Sequence, residues 1–136
     1  MRFQLHDRLA ADCHLLGRNG TCLLLINRNA LYPWFILVPE CDETEFYRLG
    51  PEQQSEVLTL INRMSRFIEN HFSVDKLNIA TIGNVVAQLH IHIIGRQQTD
   101  ACWPGVVWGT AQFEEYPPQR VAEIKALLHQ EQLCVE

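Results

Sequence analysis

Residues 87–96 read Ala-Gln-Leu-His-Ile-His-Ile-Ile-Gly-Arg. In an extended strand side chains alternate, so Gln88, His90 and His92 share one face while Leu89, Ile91 and Ile93 share the other. The apolar set needs a core. The polar set admits three uses. It can be an ordinary solvated face. It can supply two ligands of a zinc site, which needs three or four, with Asp12, Cys13, His14 or Cys102 completing it in space; no spacing among those residues marks such a set. Or it can carry nucleophilic catalysis, because neutral imidazole attacks well near pH 7 and a second imidazole beside it can hand a proton to a leaving group.

The surrounding chain has to hold that strand still. Thr21–Ile26 and Trp34–Val38 are strand-length apolar runs separated by a turn-rich stretch with two Asn and Pro33, which predicts a hairpin. After the break at Gly50-Pro51, Val57, Ile61, Met64 and Ile68 recur at helical spacing, with Leu60 and Phe67 beside them; the stripe predicts one long helix, about Glu52 to His71, facing a core. Val74–Thr81 and Gln88–Ile94 read as a second hairpin turning at Gly83-Asn84. Val121, Ile124 and Leu128 mark a last helix over about Gln119–Gln132. Acids at Asp42–Glu45 predict a short helix start. Residues 1–20 read as irregular, with a short helix around Arg8–His14 and a turn at Gly17–Gly20. Short connections favour an antiparallel sheet with the long helix on one face and the other face free for a ligand or a second subunit.

Composition narrows the function classes. With 136 residues the chain has room for one domain with a real core. A formal net charge of −5 argues against a general nucleic-acid binder, while leaving room for a local pocket for a small anion. No apolar run approaches the ~18 residues of a membrane span. The N-terminus carries charges where a signal peptide has its apolar region, so a cytoplasmic location is expected. Five cysteines, an odd number without a Cys-x-x-Cys pair, predict reduced thiols, with Cys22 a small core residue.

Gln88-Leu89-His90-Ile91-His92-Ile93-Ile94 resembles the histidine-triad (HIT) motif, His-φ-His-φ-His-φ-φ with φ apolar, with Gln88 in the place of the first His. Leu25-Ile26-Asn27-Arg28, then Pro33 and Phe35–Pro39, resemble the family's first hairpin, and the long helix and Gly83-Asn84 fall where the family has them. Gln88 and the Trp-rich tail together resemble a bacterial HIT-like subgroup. The resemblance implies a single α+β domain over residues 1–136: an antiparallel sheet of about five strands, one long helix packed on it and a C-terminal helix, usually as a homodimer. It implies a nucleotide hydrolase or nucleotidyl transferase without cofactor or metal, acting on a purine mononucleotide or dinucleoside polyphosphate rather than on nucleic acid or at a membrane. His90 matches the nucleophile, attacking the α-phosphorus of an ester, anhydride or phosphoramidate to form a nucleotidyl-histidine. His92 matches the residue that contacts the phosphate or leaving group.

Other positions carry two readings each. Asn27 matches a ribose-binding position and is also a turn residue. Gly83 and Asn84 match a phosphate-side loop and also read as a hairpin turn. Asn78 matches a polar residue near the phosphate and also reads as sheet surface. Arg96 could pair with a phosphate or with Asp100. Leu25 and Ile26 read as core more readily than as a base pocket. Trp103 or Trp108 could reach toward a partner subunit's site. Two departures bear on activity. Gln88, which the resemblance counts with His90 and His92 in the catalytic set, cannot carry a proton charge; it serves if the first position only orients its neighbour, and slows or changes the enzyme if that position must titrate. Trp34 stands where many HIT proteins have a further His, and could stack on a base or fill space. The competing classes are a nucleotide-binding module that has lost the chemistry and a metal-dependent hydrolase built on His90 and His92.

Overall fold

Five strands form one antiparallel sheet in the computed structural model, which describes residues 2–135. They are β1 (Cys13–Asn19), β2 (Cys22–Asn27), β3 (Trp34–Pro39), β4 (Lys76–Ala80) and β5 (Ile91–Arg96), in the spatial order β1-β2-β3-β5-β4. Three α-helices accompany them: α1 (Asp7–Asp12), α2 (Pro51–His71) and α3 (Pro118–Gln130). The α+β architecture is the expected one. Among the described residues no helix is long and apolar enough to cross a membrane.

Strand alternation builds the main core. Leu24 and Ile26 of β2, Phe35 and Leu37 of β3, and Ile91 and Ile93 of β5 are buried in one cluster with the predicted α2 stripe of Val57, Leu60, Met64, Phe67 and Ile68. α3 adds Val121, Ile124 and Leu128 to it. α2 begins at Pro51, where a missing N–H costs nothing because the first N–H groups of a helix have no internal partner. Gly95 sets how closely β5 meets α2 and its surroundings. A Cβ there would lie 2.7 Å from Val74 Cγ2, 2.9 Å from Pro33 Cγ and 3.0 Å from Ile68 Cγ2.

The opposite face of the sheet is not free, as the sequence reading had it. Leu25, Trp34, Ile36, Val38 and Ile94 form a second cluster there with Leu9 of α1, Val86 of the β4–β5 connection and Val107 of the tail. The covering residues Leu9, Val86 and Val107 are scattered singly along the chain, at no helical or strand spacing, which is why periodicity does not announce the cover. Leu25 and Ile26 are both core.

Three local expectations change. Residues 13–19 form β1 rather than an irregular run, and the turn falls at Gly20, with φ +57°. A register shift between Leu15 and Gly17 puts Leu16 in the core and leaves Leu15 exposed. The irregularity breaks the period-2 pattern by which strands are read. β4 and β5 are joined by residues 81–90 rather than by a tight Gly83-Asn84 turn, so Gln88 and His90 precede the strand that starts at Ile91. Burial of Val86 draws this connection down onto the sheet. The short helix expected near Asp42 is a 3-10 turn over Phe46–Arg48.

Candidate active site

His90 and His92 sit where β5 begins, both buried, on the face opposite α2. His90 Nδ1 lies 2.7 Å from the carbonyl oxygen of Gln88. A carbonyl can only accept, so Nδ1 carries the proton and the lone pair of the neutral ring is on Nε2. His92 has the reverse arrangement. The Trp34 indole Nε1–H donates to His92 Nδ1 at 2.9 Å. An indole N–H can only donate, so Nδ1 is the acceptor and the proton of neutral His92 is on Nε2. The two rings stand edge to face with centroids 4.9 Å apart. The pair therefore presents one Nε2 lone pair and one Nε2–H.

Burial, and after it the neighbouring His90, lower the His92 pKa from 6.5 to about 4, so the ring is neutral at physiological pH. Trp108 closes over it edge to face, with centroids 5.1 Å from His92 and 5.9 Å from Trp34. The tail that carries Trp108 is fastened by Asn29, whose amide donates to Gln112 O at 2.9 Å and whose Oδ1 accepts from Glu114 N at 3.4 Å. Trp108 thus packs on its own chain's histidine, and Trp103 lies over its own chain's Arg96, 5.8 Å from ring centroid to guanidinium carbon.

The side chain of Gln88 takes no part in the histidine pair. Its Nε2 donates to Gln4 O at 2.9 Å and its Oε1 accepts from His6 N at 2.9 Å. The amide grips the N-terminal segment much as a neighbouring strand would. The backbone carbonyl of the same residue is what orients His90. The first triad position, read as catalytic, has its orienting function filled by main chain and its side chain engaged elsewhere.

A cleft of about 570 Å³ opens beside the histidines. Asn27, Trp34, Gly83 and Asn84 line it together with His90 and His92, so these predicted residues do converge. Gly83 has φ +71°, a conformation that a glycine tolerates without strain. Asn27 is also the turn residue of its second reading, its Oδ1 accepting the Asn29 N–H at 2.9 Å. Asn78 and Arg96 lie elsewhere. The buried Arg96 guanidinium makes two 2.8 Å bonds to the Asp100 carboxylate and a 3.0 Å bond to Asn78 Oδ1, and Tyr32 and Trp103 flank it. A guanidinium committed to an internal carboxylate has little left for a ligand phosphate, so its structural reading prevails. The sequence reading missed Arg8, Leu9 and Ile36 on the cleft wall, where Asp12 and Cys13 also stand. α1 carries the first two, and no local pattern says that it folds back over the sheet.

The metal reading finds no support in the geometry. Among the described residues no three His, Cys, Asp or Glu side chains gather closely enough to hold an ion. Cys102 instead accepts from the Tyr32 hydroxyl at 3.1 Å, His14 Nε2 meets Glu115 Oε1 at 3.3 Å, and burial pushes the Cys13 thiol up to about 12. A metal on His92 Nε2 would also force a proton onto Nδ1, against the Trp34 N–H.

Comparison with known proteins gives the family. The family model described as the HIT domain matches residues 8–99. A histidine triad protein from Marinobacter aquaeolei VT8 is 43% identical over 97% of this chain and 98% of its own, with a TM-score of 0.90. One from Bradyrhizobium japonicum is 38% identical over 94% and 96%, with a TM-score of 0.88. One from Sinorhizobium meliloti 1021 is 32% identical over 94% and 96%, with a TM-score of 0.89. No curated protein matches the chain. A family match over most of the length, joined to two imidazoles held at the mouth of one strand, establishes that this chain belongs to the histidine-triad (HIT) family.

Proposed function

We propose that this chain is a cytoplasmic, homodimeric nucleotide hydrolase or nucleotidyl transferase that works through His90. One observation carries the reading. The 2.7 Å contact between His90 Nδ1 and the Gln88 carbonyl leaves the Nε2 lone pair available in the cleft. A nucleophile fixed beside a strand is better aimed than one on a free loop. In the proposed reaction His90 Nε2 bonds to the α-phosphorus of a bound nucleotide. The bond from phosphorus to the leaving group breaks, and its electron pair departs with that group. Water then adds its oxygen to phosphorus, and the P–N pair returns to Nε2. The water's protons end on the released nucleoside monophosphate and in solvent. His92 Nε2–H and backbone N–H groups of residues 83–84 stabilise the charge that builds on the phosphate oxygens.

The cleft's volume lies in the range of small-molecule sites. Leu9, Ile36 and Val86 offer an apolar wall for a base, and a purine mononucleotide or one half of a dinucleoside polyphosphate fits these features. In this reading Asn27, which lines the cleft, bonds the ribose hydroxyls, and Gly83 and Asn84, on the same cleft, meet the phosphate. Support for the dimer comes from the family and from β4, an edge strand with Ile79 half exposed.

The test is nucleoside monophosphate release from a dinucleoside polyphosphate, a nucleoside phosphoramidate and a nucleotide sugar, with EDTA present, for wild type and His90→Ala. Release by wild type that is lost in His90→Ala supports the proposal. Nucleotide binding without release from any substrate replaces it with the binding-module reading.

A further inference from the structure

Ester, anhydride and phosphoramidate substrates differ in what their leaving groups need. A phosphate expelled from an anhydride departs as a stable anion. An alkyl amine or an alkoxide has to receive a proton as its bond breaks, so a site that cleaves such bonds needs an acid close to the nucleophile.

The cleft offers few acids. Arg8 and Asp12 face it from α1, where they pair with each other at 3.6 Å and are largely exposed. Cys13 at the start of β1 keeps its proton too firmly. Trp34 from β3 and Trp108 from the tail present only indole N–H groups. His90 is the nucleophile, and its other nitrogen is tied to the Gln88 carbonyl. That leaves His92, and to act as an acid His92 needs protons on both nitrogens. Its Nδ1 already receives the Trp34 N–H. A second proton there would point one N–H at another.

We propose that Trp34 is a positioning residue that locks His92 as the neutral Nε2–H form, and so makes this site selective for phosphoanhydrides over alkyl phosphoramidates and alkyl esters. The proposal rests on the reading of His90 as nucleophile. His92 then serves as a hydrogen-bond donor to a phosphate oxygen throughout the reaction and transfers no proton. The burial that keeps the ring neutral acts in the same direction.

Two measurements test it. The first is imidazole ¹⁵N NMR of the wild type across a pH series, which needs no turnover. The expected spectrum has the His92 proton on Nε2 alone and no titration near the ordinary value of 6.5. A proton on Nδ1, or an ordinary titration, overturns the proposal. The second compares kcat/KM for a dinucleoside polyphosphate and for a nucleoside phosphoramidate of a primary amine, in wild type and Trp34→Phe. General acid catalysis contributes about 100-fold or more, so wild type is expected to favour the anhydride by at least about that factor. Trp34→Phe is expected to narrow the ratio about tenfold, with His92 titrating at higher pH. Equal use of both substrates by wild type, or an unchanged ratio in a folded Trp34→Phe, also overturns it. If wild type cleaves neither substrate while the spectrum is as expected, the catalytic reading and the selectivity fall together. Trp34's hold on His92 then stands by itself.

Discussion

Two rings of the same residue type, two positions apart, have opposite hydrogen-bonding characters because of single contacts. His90 is given its free Nε2 by a carbonyl, and His92 is denied a proton by an indole. The burial of His92, and after it the neighbouring His90, also reach the stability of the fold. In the unfolded chain His92 takes up a proton as pH falls below about 6.5; in the folded chain it does so only near 4. Between those values the unfolded state binds more protons, so stability is fully present above pH 6.5 and declines as pH falls toward 4. The 2.5-unit gap between 6.5 and 4 corresponds to about 3 kcal/mol. Urea unfolding of wild type and His92→Asn at neutral pH and near pH 4.5 checks this. Wild type should lose more stability than the variant on acidification, and parallel losses would assign the acid sensitivity to other groups.

Elements hold these residues by close contact rather than by local propensity. β5 lies between β3 and β4 and is pressed against α2 at Gly95, where three side-chain atoms stand within 3.0 Å of an imagined Cβ. Ile68 is buried in the core and Val74, partly buried, packs against it, so neither retreats freely. Gly95→Ala should therefore cost about 1–3 kcal/mol, typical of overpacking, and should lower the thermal midpoint visibly. A melt superimposable on wild type would mean that the helix slides away at no cost. The same element shows where strand signals hold and where they fail. Ile91 and Ile93 point into the core as alternation requires, yet the histidine strand starts three residues later than the pattern Gln88–Ile94 proposes.

The whole molecule depends on its ends to complete the site. Gln88 grips residues 4 and 6, and the chain runs from there into α1, whose Arg8, Leu9 and Asp12 form one wall of the cleft. In Gln88→Ala the backbone carbonyl that orients His90 remains, while the grip on the N-terminus is gone. The expected result is faster amide exchange and protease cleavage in residues 2–12, and a KM raised several-fold with kcat changed much less. Each of the two lost hydrogen bonds contributes on the order of 1 kcal/mol. A kcat collapse with unchanged exchange would instead give the Gln88 amide a direct part in the chemistry.

Period-2 alternation and the helical stripe of α2 were enough to read the main core, the long helix and the pairing of His90 with His92 on one face. These are properties of neighbours along the chain, and a sequence states them directly. β1 stayed hidden because a bulge breaks its alternation, and the cover over the second sheet face because it is made of isolated residues. The histidine tautomers stayed hidden for a related reason. The Trp34–His92 bond spans 58 residues, and the bonds from Gln88 to the N-terminal segment span 82 and 84. Residue types made Trp34 and Gln88 look like losses from a catalytic set. Only the tertiary structure turned one into the donor that sets His92 and the other into the clamp for a cleft wall, because hydrogen-bond partners are chosen by proximity in space.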